Sequence, residues 1–155
     1  MSEEFSITAS FEMNSHAQMS ELQTLLEHLD LYETAEASSI LAKHDIADAQ
    51  QKIKLLTSPH SDYDNSSNLI DMYIATHDDN VEDVKLVINE SGLVATLHAE
   101  GYDHDADDFC SAMILILIAM GAKKIDASGG SPFWFAKWKY DSLVGAQLEF
   151  NEELR

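Results

Sequence analysis

Basic residues are scarce. Nine lysines and arginines stand against 28 aspartates and glutamates, a net charge of −19 over 155 residues. The first is Lys43, and from Leu55 to Ala122 only Lys85 is basic, while thirteen acids fall between Asp62 and Asp108. Direct binding to DNA, RNA or an anionic membrane needs lysine and arginine to neutralise phosphate, so this composition speaks against both nucleic acid and membrane as partners. Cysteine is nearly absent: Cys110 alone can form neither an internal disulfide nor a cysteine-based structural zinc site. The stretch from Met1 to Phe11 lacks the basic start and long apolar run of a signal peptide, and the expected setting is a reducing cytoplasm. The longest apolar run, Ala112 to Met120, is far short of the roughly 20 residues that cross a bilayer and reads as a core element.

What is present is the composition of one folded unit. Hydrophobic residues make up 45% of the chain, enough for a single ordinary core, and a single domain over 1–155 is expected. Phe5, Ile7, Ala9, Phe11 and Met13 alternate with polar residues and predict a strand over 5–13. Ser15, with Gln18 three residues on, is a capping signal for a helix over 16–29 that carries Leu22, Leu25, Leu26 and Leu29 on one face. Residues 33–56 contain no glycine or proline and show helical spacings, as one long helix or two short ones. An exposed loop is expected over 57–68, rich in Ser, Asp, Asn and Pro.

Alternation over 84–89 and 93–98 around a turn at Asn89 to Gly92 predicts a hairpin. A helix over 106–120 opens on acids and stops at Gly121. A second hairpin is expected from strands at 124–127 and 132–140, with Ser128 to Ser131 as its turn. The fold class is therefore α+β, a mostly antiparallel sheet packed with helices. Thr8, Glu12 and His16 recur 88 positions later as Thr96, Glu100 and His104, which hints at two strand-helix units side by side, as in split β-α-β architectures.

Candidate chemistry is sparse. Seven histidines, several beside carboxylates, include no dedicated ligand motif, and no metal or cofactor is called for; the nearest set to a ligand group is His98, His104, Asp105 and Asp107. Ser128-Gly129-Gly130-Ser131 is followed by Pro132 and an aromatic strand, not by the helix with lysine that a phosphate loop requires. The segment His98-Ala99, Asp107 and Cys110-Ser111-Ala112 resembles the ribosomal-processing cysteine proteases, where a His after a strand and a Cys opening the next helix form a catalytic dyad. The resemblance implies a cysteine hydrolase that uses Cys110 and His98. Leu97 stands where that family has a glycine, and five carboxylates from Glu100 to Asp108 oppose thiolate formation.

The leading expectation is a small acidic, non-enzymatic binding protein that inhibits a basic partner. That partner would be a nuclease or other nucleic-acid-handling complex, as for anti-defence inhibitors, nucleic-acid mimics and toxin-immunity proteins. The residues expected to carry this are Asp78, Asp79, Glu82 and Asp83 in one group and Asp103, Asp105, Asp107 and Asp108 in the other. Trp134 and Trp138, on one face of the aromatic strand, are candidate interface anchors, also in a homodimer; the alternative places both under the N-terminal helices. A third reading is a structural module whose acidity serves solubility alone.

Overall fold

The computed structural model describes residues 4–44, 81–102, 106–132 and 134–152. Among them lie β1 (Glu4–Glu12), α1 (His16–Asp30), α2 (Thr34–Leu41), β2 (Val81–Ile88), β3 (Val94–Tyr102), α3 (Ala106–Ala119), β4 (Lys124–Ser131), β5 (Trp134–Asp141) and β6 (Gly145–Glu152). The strands form one six-stranded sheet in the order β2-β3-β1-β4-β5-β6, antiparallel at every pairing. The molecule is a single-domain α+β fold dominated by its sheet. No described helix is long and apolar enough to cross a membrane.

Alternation decides which face of the sheet is covered. Phe5, Ile7, Ala9 and Phe11 of β1, Ala95, Leu97 and Ala99 of β3, Ile125 and Ala127 of β4, and Trp134, Ala136, Trp138 and Tyr140 of β5 are all buried in one hydrophobic cluster. The cluster also holds Met19, Leu22, Leu25, Leu26 and Leu29 of α1 and every residue of 112–120. A helix that is apolar all round belongs in an interior, and α3 packs against the two central strands β1 and β4. Ser15 caps α1, its Oγ accepting from Gln18 N at 3.2 Å, while Gln18 Oε1 accepts from Asn14 N at 3.0 Å. His16 Nε2 bonds the Ser91 carbonyl at 2.8 Å, fastening the start of α1 to the β2–β3 turn.

Both described ends of the long helices use one hydrogen-bond pattern. At α3, Ala122 N donates to Leu117 O and Gly121 N to Ile118 O, with Gly121 at φ 100. At α1, Glu33 N donates to His28 O and Tyr32 N to Leu29 O, with Tyr32 at φ 57 where glycine is the usual residue.

The sheet order has the arrangement at which the internal echo hints. β1, α1 and β2 make one split β-α-β unit, β3, α3 and β4 a second, and each inserts a strand into the gap of the other. The offset that carries Thr8 onto Thr96 also carries Ala9 onto Leu97, which is its own register partner.

Three sequence expectations need correction. Ser128 to Ser131 is not a turn but the second half of β4, and the chain reverses beyond it at Pro132. Its glycines serve close approach: a Cβ on Gly129 would stand 2.6 Å from the Ser6 carbonyl oxygen, and one on Gly130 would overlap the Trp134 carbonyl oxygen. A sixth strand, β6, was not expected, although Ala146, Leu148 and Phe150 alternate with Gln147, Glu149 and Asn151. Of the segment 33–56, expected as one long helix or two short ones, α2 covers the first part and ends at Leu41, where Lys43 N and His44 N turn back onto the carbonyls of Ile40 and Leu41. β2 and β3 run longer than 84–89 and 93–98, reaching Val81 and Tyr102. The loop expected over 57–68 and the rest of the 33–56 helix lie outside the described residues.

Candidate functional site

The described helices all leave the second face of the sheet open, and the strand register turns it into a grid. One cross-strand row runs Lys85, His98, Thr8, Ser128, Lys137, Glu149. The next toward the start of β1 pairs Glu100, Ser6, Gly130, Phe135 and Asn151, with Asp83 as the register partner of Glu100 on the edge strand. In the opposite direction come Val87, Thr96, Ser10, Asp126, Lys139 and Gln147, and then Val94, Glu12, Lys124, Asp141 and Gly145.

The two ends of this face differ in charge. At the first, β2 begins and β3 ends: Val81 pairs with Gly101, Asp83 with Glu100, and Glu4 with Tyr102. A register shift between Val81 and Asp83 marks the edge there. The expected acidic groups thus flank a single hairpin, since 78–83 leads into β2 and 103–108 follows β3. Glu82 and Asp83 lie in β2, Asp107 and Asp108 in the first turn of α3. Acids are generally favoured in the first turn of a helix, where the dipole is positive, which is a structural reason for acids at these positions. Asp78, Asp79, Asp103 and Asp105 lie outside the described residues.

A cleft of about 600 Å³ opens on the same end, between Glu4, Ser6, Glu100, Ser128, Ser131 and Phe135, and among the described residues no lysine or arginine lines it. Carboxylates, hydroxyl oxygens and an aromatic face are the groups that receive an ammonium or guanidinium. Phe135, 45% exposed, already has Lys137 Nζ 5.8 Å from its ring centroid.

The cysteine dyad is not assembled. His98 points to the open face, where its Nδ1 shares a 2.8 Å hydrogen bond with Thr8 Oγ1 and its Nε2 lies 3.5 Å from Glu100 Oε2. Cys110 is 0% exposed in the core cluster on the other side of the sheet. Strand parity is the reason: Leu97 and Ala99 point inward, so His98 between them must point out. The interface role considered for Trp134 and Trp138 is corrected in the same way. Both are buried, Trp138 completely, and on β5 it is Phe135, Lys137 and Lys139 that face outward.

Of the histidine and aspartate set considered for a metal, His104 and Asp105 lie outside the described residues, and no group of three ligating side chains occurs among the described ones. The sequence reading missed Glu4, Glu100 and Phe135. The signal for Glu4 was available, because it continues the outward parity of Ser6, Thr8 and Ser10. Compared with protein-family models, curated proteins and solved structures, the chain gives no match to any of them.

Proposed function

We propose that this chain is a non-enzymatic binding protein that docks the acidic end of its sheet on a basic, nucleic-acid-handling protein and blocks it. The observation that carries the reading is the β2–β3 register, which brings acidic positions distant in sequence to one end of the fold, beside a cleft that no cationic side chain lines among the described residues. Clustered carboxylates present to a basic groove the charge that phosphates would, and they steer association at low salt. A nuclease, a nucleic-acid-binding complex or a cationic toxin offers the matching surface. The role needs neither a cofactor nor a metal.

The test is affinity capture from nuclease-treated host lysate, with wild-type protein and a folded Glu82→Lys/Asp83→Lys/Asp107→Lys/Asp108→Lys variant side by side. The expected result is a basic nucleic-acid-handling protein retained at low salt, released at moderate salt, and absent with the variant. Equal retention by both proteins overturns the reading. Retention of nothing leaves acidity as a means to solubility.

A further inference from the structure

The opposite end of the open face has a different character. The β5–β6 turn carries Leu143 and Val144 at 93% and 87% exposure, an apolar pair in a position where polar residues are the rule. The turn that holds them is built. Ser142 N donates to the Lys123 carbonyl at 2.9 Å, Leu143 N to Asp141 Oδ1 at 2.8 Å and Val144 N to Asp141 O at 3.2 Å. The pair is thus fixed in a projecting position before any partner arrives, which lowers the ordering cost of association.

Beside it lies a cleft of about 750 Å³ on the same face, with Val144 on one wall and Val94 on another. An apolar knob and a cleft therefore sit side by side on one surface. Such a surface can satisfy itself across a two-fold axis, each copy placing its knob in the cleft of the other.

Charge selects the occupant. Elsewhere a chain of net charge −19 repels its own copies. Around this cleft Glu12, Lys124 and Asp141 alternate along one cross-strand row, and Asp126 stands opposite Lys139 in the next. Lys123 Nζ lies 3.4 Å from Glu12 Oε1. Lys124 and Lys139 line the cleft with Glu12, Asp126 and Asp141, and Lys123 pairs with Glu12 at its margin, so opposite signs alternate and nearly cancel, a pattern that can match a rotated copy of itself.

We propose that this end of the sheet is a self-association surface, where two copies of the chain pair with the Leu143–Val144 tip of each seated in the cleft of the other. The acidic end stands at the far end of β1, roughly 26 Å away at about 3.3 Å per residue. Pairing therefore leaves both acidic ends open, and the dimer presents two of them.

Sedimentation equilibrium of the full chain, from micromolar to near-millimolar concentration, tests this. The wild type is expected to approach twice the chain mass. Leu143→Ser/Val144→Ser should dissociate at least about tenfold more readily with an unchanged circular dichroism spectrum, as loss of two exposed apolar anchors implies. Lys124→Glu/Lys139→Glu should weaken pairing through charge alone. The acidic-end variant that tests partner docking should sediment as the wild type does, so failure of one idea is distinguishable from failure of the other. A wild type that stays at monomer mass throughout, or a dimer indifferent to the tip substitutions, overturns the proposal.

Discussion

Asp83 and Glu100, two acids seventeen positions apart, are register partners across the β2–β3 pairing. Like charges directly opposite in an antiparallel pair are destabilising. The arrangement sits on an edge strand, at the end of the sheet where Glu4 also lies. Glu100→Gln is expected to raise stability by about 0.5 kcal/mol at low ionic strength and by less at high salt, where the repulsion is screened. Urea midpoints of both proteins at two salt concentrations check this; a gain independent of salt would point away from charge.

β4 depends on missing side chains. Gly129→Ala and Gly130→Ala each force a Cβ into a neighbouring backbone carbonyl, that of Ser6 or Trp134. Each is expected to cost about 1–3 kcal/mol, the range of overpacked interiors, and Gly130→Ala more than Gly129→Ala. Chemical denaturation with an unchanged m-value is the measurement. A neutral result would mean that the strands can separate without loss.

The two faces of β5 should respond differently to truncation. Trp138→Ala is expected to lose about 3–5 kcal/mol, because Trp138 is fully buried. Phe135→Ala, on the open face, should lose less than about 1 kcal/mol. Calorimetric melting of both variants separates core from surface.

Cys110 should behave as a core residue. At neutral pH in the folded protein it is expected to be inert to a thiol-reactive chromogenic disulfide and to react fully once unfolded. Rapid labelling of the native protein would revive a catalytic thiol and contradict the burial of Cys110.

The two similar helix ends make a paired prediction. Gly121→Ala places a Cβ residue at φ 100 and should cost about 1–2 kcal/mol, whereas Tyr32→Gly, at φ 57, relieves a similar strain and should gain up to about 1 kcal/mol. Thermal midpoints moving in opposite directions are the expected outcome.

Much of the fold was legible because alternation and helical spacing are local properties. Phe5 to Phe11 announced β1, Ser15 and the leucines announced α1, and the apolar run into Gly121 announced α3. The misreadings have physical causes as well. The glycines at 129 and 130 look like a turn when only their backbone freedom is considered, yet what requires them is the closeness of Ser6 and Trp134 on neighbouring strands. His98 and Cys110 share a plausible spacing, but the parity of β3 sends His98 to the face of the sheet away from Cys110. Trp134 and Trp138 were placed correctly on one face, while which face is covered depends on where the helices pack.

The sequence by itself determined the sign and size of the charge, the alternation of β1 and β5, and the absence of an internal disulfide, because each follows from composition or from neighbours a few residues apart. Only the tertiary structure decided which carboxylates stand together. The β2–β3 register and the insertion of β1 between β3 and β4 bring Glu4, Asp83 and Glu100 to one end of the sheet and leave Lys124 and Lys139 among carboxylates at the other. Strand pairing joins positions that are remote along the chain, and no local pattern encodes which positions those are.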